Sequence, residues 1–419
     1  EPVSQTDEQE RASAVFEELD EDQGDLREWS GLTVERYRDA VQKARSFNKH
    51  ARFAADSYTA QSAFSALSKA EKDGLEALSN YEIANLLCFR GWGGIYQDIR
   101  TDNASSNKNF SGKQISSNLG MGDAEFNKIV GENRLESYYT PVDLGQRMWQ
   151  VLARAGVNPS GRILEPGCGA AHLFICAPDE FKNNANLIGI DCDPIALRMA
   201  RMLAPDARFI EGKYESVGLA NDFDAVIGNV PFGEARITDK RFKNPQLIHD
   251  YFILRSMMHL KDGQLMTVLT SSGTMDKENP AVRKQIREQA DLVAGFRLPK
   301  SLFADQNASV TTDLLVFRKR PKGMTPGYDF TETETISLAG AQGPEEFPIN
   351  SYFCANPDNI IGRLGFSSGP FGPVLETDNG HLIGNQMVYE ALSKRIEAEI
   401  PENLVHQNDW VPLPAEADQ

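Results

Sequence analysis

Cysteine is scarce: there are five in 419 residues (Cys88, Cys168, Cys176, Cys192, Cys354), an odd set with no CxxC pair. That excludes a disulfide framework and a cysteine-rich zinc site, and it fits a reducing compartment with no bound metal. Long apolar runs are missing too. None approaches the ~20 residues needed to span a bilayer, and the amino end is acidic rather than basic and then apolar, so no membrane segment or signal peptide is expected. The chain also lacks a G-K-[ST] phosphate loop, a helicase motif and an internal repeat.

What is present is an ordinary globular composition, 41% hydrophobic and 25% charged, on a length that suits two or three domains. The net charge of −17 argues against a nucleic-acid partner until it is located. Residues 1–28 hold eleven acids against Arg11 and Arg27, and residues 401–419 add four acids and no base, which leaves −4 for everything between. Basic runs remain in that body: Arg36 to Arg52, Arg236 to Lys243 and Arg318 to Lys322. Each is read either as a solvated face or as a phosphate contact.

Three regions follow from the patterning. Residues 1–120 combine an acidic tail with helical spacing (Ala63, Leu67, Ala70), an N-cap at Asn80 and a Gly91-Trp92-Gly93-Gly94 stop, and then a Ser- and Asn-rich linker. Residues 121–320 alternate short β-branched runs with helical stretches, in strands around 162–164, 187–190, 207–210, 225–227, 265–269, 292–296 and 314–317. This is an α/β chain with a parallel sheet, in which ligands bind outside the carboxyl ends of the strands. Residues 321–419, rich in Pro and Gly, are read as an irregular extension ending in an amphipathic helix at 384–398.

The first strand runs into Glu165-Pro166-Gly167-Cys168-Gly169-Ala170-Ala171, and the second ends at Asp191, 22 residues beyond Gly169. A glycine turn lets a ligand approach the backbone, and a carboxylate at that distance can hold ribose hydroxyls. The dinucleotide pattern fails, because its third glycine would be His172. An adenosine ligand without a phosphate cradle points to S-adenosylmethionine. The fourth strand ends in Asn229-Val230-Pro231-Phe232-Gly233. An amide oxygen, a carbonyl and an aromatic ring together suit a planar base with an exocyclic amine, stacked and held by two acceptors. His249 and Asp250, before Tyr251 and Phe252, are read as a helix cap followed by core.

These motifs, in this order, resemble the adenine-N6 DNA methyltransferases, in which a cofactor-carboxylate site, a glycine loop and a catalytic Asn-Pro-Pro-Phe/Tyr follow one another. More narrowly, GWGG at 91–94, NVPFG at 229–233, IHDYF at 248–252, LTSSGTMDK at 269–277, FRLPKSLF at 296–303, TDLLVFRKR at 312–320 and NPDNIIG at 356–362 are similar to the methylase part of phage and conjugative-element helicase-methyltransferases, DarB-like antirestriction proteins included. The resemblance implies a Rossmann-like class I core. Tyr139, Thr140 and Pro141 would form the first motif, with Thr140 on the methionine carboxylate. Glu165 and Gly167 would take the methionyl portion, with Gly169 also binding the cofactor, Asp191 the ribose, and Asn229 to Phe232 the target adenine. It further implies double-stranded DNA as partner, a helicase or other protein outside this chain, and a bacterial cytoplasm with a phage or plasmid origin. The carboxyl-terminal extension and the helical region would clamp the duplex.

Two departures stand out. Ala171 occupies a position where relatives usually carry glycine, so its methyl is expected to crowd the cofactor, and Glu211 to Glu215 offers no assignable adenine contact. The rival readings are a methyltransferase acting on RNA or on protein glutamine, and a non-catalytic binding module that keeps the fold.

Overall fold

The computed structural model describes residues 28–47, 57–87, 89, 116, 119–132, 139–306, 310–340, 343–369 and 372–412. Trp92 with its flanking glycines, most of the linker and most of the acidic tail lie outside them.

Apolar runs without polar alternation make strands covered on both faces. The strands are β1 (Arg162–Pro166), β2 (Asn186–Asp191), β3 (Arg208–Glu211), β4 (Phe223–Asn229), the two-residue β5 (Arg236–Ile237) and β6 (Gln246–Leu247), then β7 (Leu260–Ser271), β8 (Ala290–Leu298) and β9 (Thr312–Lys319). Seven of them form one sheet in the order β3-β2-β1-β4-β7-β9-β8. From β3 to β7 the neighbours are parallel, and β9 is antiparallel to both β7 and β8. The expected parallel sheet is thus corrected at β9. Among the described residues of 299–311, between β8 and β9, there is a short 3-10 turn and no crossover helix, and a connection too short for a crossover helix returns the chain antiparallel.

Helices α1 (Val34–Phe47), α2 (Ser57–Asp73), α3 (Asn80–Leu87), α4 (Asp123–Glu132) and α5 (Val142–Arg154) precede the sheet. Between β1 and β3 lie α6 (His172–Ile175), α7 (Asp179–Lys182) and α8 (Pro194–Leu203). Between β6 and β8 lie α9 (Ile248–His259), α10 (Gly273–Asp276) and α11 (Ala281–Gln289). Adjacent residues Ile163 and Leu164 fall in different apolar clusters, one per sheet face. Phe64, Leu67 and Ile83 of the amino-terminal helices join Met148 and Trp149 of α5 on the first face. Tyr251, Ile253 and Leu254 of α9 join Val226 and Val268 on the second. Because α9 leads directly into the start of β7, its own first turn stands at the carboxyl edge of the sheet.

Two local expectations change. The cap of α3 is Ser79 rather than Asn80: Ser79 Oγ accepts from the Glu82 N–H at 3.3 Å and Glu82 Oε2 accepts from the Ser79 N–H at 2.8 Å, a capping box. The carboxyl-terminal region is more regular than its composition suggests. It holds two hairpins, β10 (Thr333–Gly340) with β11 (Gly343–Asn350) and β12 (Arg363–Gly369) with β13 (Gly372–Asp378), the short α12 (Ser351–Ala355), and α13 (Gly384–Glu399) where a helix was expected. Pro344, Pro348 and Pro373 sit in these two-stranded ribbons, where an outward-facing position needs no N–H.

Candidate active site

β1 and β2 end side by side, with Glu165 opposite Gly189 and Pro166 opposite Ile190. The chain then turns through Gly167 (φ +72°) and Gly169 (φ +50°), conformations that an L side chain resists. Gly167 and Cys168 donate their N–H groups to the Ile190 carbonyl at 2.7 and 3.0 Å, and the Gly169 N–H donates to Asp191 Oδ2 at 2.8 Å. Asp191 Oδ1 accepts from the Asp193 N–H at 2.9 Å. Asp191 therefore shapes the glycine turn itself. A carboxylate offers roughly four acceptor sites, so capacity for a hydroxyl remains. Burial pushes its carboxyl above the usual range although these N–H groups oppose the shift. Glu165 is buried as well, and desolvation, followed by the charge of Asp191, pushes its carboxyl well upward. Glu165 Oε2 has no hydrogen-bond partner among the described residues.

Segment 139–141 braces this turn from outside. A Cβ on Gly169 would lie 2.6 Å from Tyr139 Cε1, so the close approach demands glycine as much as the positive φ does. The Tyr139 ring stacks on His172, with centroids 4.1 Å apart, and His172 Nε2 stands 3.0 Å from the Leu87 carbonyl at the end of α3. A carbonyl only accepts, so the proton is on Nε2, and burial lowers this imidazole to about 4. Thr140 is buried, and Pro141 occupies the N-cap position of α5. Ala171 adopts a left-handed conformation (φ 62°, ψ 30°) and is fully buried within the apolar cluster. A Cβ in this conformation costs about 1–2 kcal/mol, a reason for glycine at this position that stands beside the expected crowding of the cofactor.

β4 ends at Asn229, level with Leu269 of β7, and the buried Val230 donates its N–H to the Leu269 carbonyl at 3.1 Å. Pro231 and Phe232 are half-buried. A Cβ on Gly167 would lie 3.7 Å from Pro231 Cδ and 3.3 Å from Phe252 Cε1. The glycine turn and the Asn229 loop therefore meet, with Phe252 against the turn. Sequence reasoning placed Phe252 in the core alone; its quoted segment, IHDYF, was the available signal.

Past Phe232 the chain returns to α9, where the Ala235 carbonyl accepts from the Ile248 N–H at 2.8 Å. Asp250 is not the cap of α9, whose N-cap position is Leu247. Its Oδ1 accepts from the Thr274 hydroxyl at 3.4 Å and its Oδ2 lies 3.9 Å from Lys277 Nζ. Lys277 Nζ stands 3.3 Å from His249 Nε2. An ammonium only donates, so His249 is neutral and accepts, and burial aided by the Lys277 charge lowers it to about 4. Burial raises Asp250 to about 6 although Lys277 opposes the shift. Segments 248–252 and 269–277 thus converge beside the Asn229 loop.

The family model for N-6 DNA Methylase matches residues 126–336, just over half of the chain and all of this site. The chain belongs to the N-6 DNA methylase family. It is 25% identical over 217 residues to the Defense against restriction protein B of Escherichia phage P1, covering 50% of this chain and 9% of that protein. It is also 25% identical over 254 residues to the Type II methyltransferase M.XamI of Xanthomonas campestris pv. amaranthicola, covering 55% of this chain and 47% of that one. The chain thus spans less than half the length of either relative. Among solved structures, the methyltransferase subunit of a type I restriction-modification system from Streptococcus thermophilus aligns at 13% identity over 94% of this chain and 79% of its own, with a TM-score of 0.43.

Membership of this methylase family implies S-adenosylmethionine, and the site fits that molecule on its own terms. Two desolvated carboxyls, one with an unsatisfied oxygen, face a glycine turn, an arrangement that favours a ligand bearing positive charge and hydroxyls. Of the basic runs in this N-6 DNA methylase, two have described cations with partners inside the chain. Arg36 binds Glu76 at 2.6 Å and the Leu78 carbonyl at 3.1 Å, while Arg38 binds Asp143 at 2.7 Å. Arg318 donates to the Gly263 and Gln407 carbonyls at 3.1 and 2.7 Å, Lys319 to Met257 at 2.7 Å, and Arg320 to Asp291 at 2.7 Å and to the Arg287 carbonyl at 2.8 Å. Arg318, Lys319 and Arg320 are thus turned inward, while Arg38 and Lys322 remain exposed. Lys240 and Lys243, by contrast, are exposed and have no ion-pair partner among the described residues.

Proposed function

We propose that this chain transfers the methyl group of S-adenosylmethionine to N6 of an adenine flipped out of duplex DNA. The observation that carries this reading is the meeting of the two loops at the carboxyl edge, where a Cβ on Gly167 would lie 3.7 Å from Pro231 Cδ and 3.3 Å from Phe252 Cε1. Bound there, S-adenosylmethionine supplies a sulfonium-activated methyl whose transfer forms the N6–C bond, returns the S–C electron pair to sulfur and leaves N6 one proton to release. Glu165 and Asp191 hold the methionyl and ribose portions, with Tyr139, Thr140 and Pro141 closing the carboxylate end. Asn229 Oδ1 and the Val230 carbonyl accept the two N6 protons, which favours positive charge developing on that nitrogen without a general base. Phe232 stacks on the adenine and offsets part of the few kcal/mol that flipping costs. Likeness to the phage P1 protein supports a role in defence against restriction, with the remaining length of such a protein lying outside this chain.

Unmethylated duplex DNA incubated with tritiated S-adenosylmethionine and digested to nucleosides tests the reaction. Label is expected in N6-methyladenosine and is expected to fall on the order of 100-fold or more in Asn229→Ala, the cost of losing one preorganised polar partner. Label in RNA or in protein glutamine, with none in DNA, would replace the substrate assignment. No label and no cofactor binding by calorimetry would leave a non-catalytic module.

A further inference from the structure

We infer that Arg236, Lys240, Lys243 and Lys277 form one cationic strip that grips the phosphodiester backbone of the DNA strand entering the Asn229 pocket. The assignment rests on the reading of that pocket as a DNA-base site and adds the surface that delivers the base to it. Three observations place the strip. The chain leaves Phe232 and is fixed to α9 by the Ala235–Ile248 hydrogen bond and the β5–β6 pairing of Arg236 with Leu247, so the segment between starts and ends at the carboxyl edge. Inside it, the buried Asp239 accepts from the Tyr251 hydroxyl at 2.7 Å and pairs with Arg241 at 2.8 Å, which pins the loop from beneath and leaves Lys240 and Lys243 exposed on it. Arg236 pairs with Leu247, the residue before α9, and donates to the Pro245 carbonyl at 3.3 Å, while Lys277 stands against the first turn of α9, 3.9 Å from Asp250 and 3.3 Å from His249 Nε2. Lys277 keeps over a third of its side chain in solvent.

The charge balance of the loop agrees. Asp239 is neutralised by Arg241, which leaves Glu234 as the acid opposing Arg236, Lys240 and Lys243. The carboxyl-terminal extension makes the poorer grip, since residues 321–419 carry fifteen acids against Lys322, Arg363, Lys394 and Arg395. Lysines act on phosphates as point charges without reading sequence, so the strip supplies affinity and register while specificity lies elsewhere.

Duplex binding by fluorescence anisotropy across 50–300 mM salt tests the strip, on two duplexes of unrelated sequence. Lys240→Gln with Lys243→Gln is expected to lower the slope of log affinity against log salt by about 1.8, at roughly 0.9 per phosphate contact, and to weaken binding at least ~10-fold at 0.1 M salt on both duplexes. Lys277→Gln is expected to lower the slope by about 0.9. Lys322→Gln, at the opposite edge of the sheet where its N–H meets Asp262, should leave the slope unchanged. Cofactor binding by calorimetry verifies that each variant is folded. An unchanged slope in the strip variants, an effect confined to one sequence, or failure of the parent chain to bind duplex DNA would each overturn the strip. Methyl transfer to DNA with an unchanged slope would remove the strip alone. A lowered slope without methyl transfer would keep the strip and remove the proposed reaction.

Discussion

The cations around the β8–β9 hairpin and those on the loop after Asn229 are similar in composition and opposite in use. Arg318, Lys319 and Arg320 reach inward to carbonyls at the ends of α9 and α11 and to Gln407, so that one strand end ties together two helices and the carboxyl-terminal segment. Those carbonyls are left without intrahelical partners where helices end, and a cation satisfies them while favouring the negative end of the dipole. Arg297 goes further: it is fully buried, forks onto Asp313 at 2.9 Å, reaches Asp276 at 2.7 Å and stacks on Phe353. On the loop, only Arg241 has an internal carboxylate. Cations that chain carboxylates and carbonyls take up are lost to an outside partner, and composition alone does not report which these are; on the loop Arg236 gives one donor to the Pro245 carbonyl, while Lys240 and Lys243 stay exposed.

Removing interior charge should therefore cost stability, and removing strip charge should cost only binding. Arg297→Ala leaves Asp313 and Asp276 facing each other without a counter-ion, and a loss of about 3–5 kcal/mol by urea denaturation is expected. A loss under 1 kcal/mol would show that the carboxyls neutralise by taking up a proton, and the interior half of the comparison would fail. Arg320→Gln is expected to cost about 1.5–3 kcal/mol, the range for hydrogen bonds to charged groups, with no change in the salt dependence of DNA binding. Lys243→Gln should do the reverse, lowering the salt slope while moving stability by less than about 0.5 kcal/mol.

Much of this was legible beforehand, for reasons that differ by element. All seven strands of the main sheet announced themselves, because strands buried on both faces must be apolar runs and even the half-buried edge strand β3 keeps Phe209 and Ile210; Gly167 follows and Asn229 ends strands whose carboxyl ends share one edge. The reversal of β9 was hidden, because a run such as Leu314 to Phe317 looks the same in either direction. Pro344, Pro348 and Pro373 concealed the hairpins, since proline argues against a strand only where both edges are paired. The Lys277–His249 contact joins residues 28 apart in sequence, and no local pattern carries it. Asp250, expected as a cap, is instead one of a polar group that appears only when α10 packs beside α9.

Acid should act on the interior. His172 has a folded pKa of about 4 against ~6.5 unfolded. Between those values the unfolded chain binds the extra proton, so stability falls as pH drops, by about 1.4 kcal/mol per pH unit. His172→Gln, which keeps a donor for the Leu87 carbonyl, should remove about 2 kcal/mol of the decline between pH 6.5 and pH 5. His249 contributes with the same sign, and Asp250, at about 6, opposes it by taking up a proton in the folded state. The parent and His172→Gln should therefore differ in slope rather than in sign. An unchanged pH profile would mean that His172 is not the buried neutral group described.

The smallest effect concerns Ala171, where stability and ligand binding again separate. Replacing it with glycine relieves about 1–2 kcal/mol of left-handed strain but loses a buried methyl worth about 0.8 kcal/mol and adds the backbone entropy of glycine, about 0.5–1 kcal/mol. These nearly cancel, so Ala171→Gly should shift stability by no more than about 0.5 kcal/mol. Because the methyl is packed in the apolar cluster, S-adenosylmethionine affinity by calorimetry should stay within about twofold of the parent, well under the 1.4 kcal/mol of a tenfold change. A tenfold gain would mean that the methyl reaches the ligand after all, and that the glycine turn, like the lysine strip, is limited by what it presents outward rather than by what it packs within.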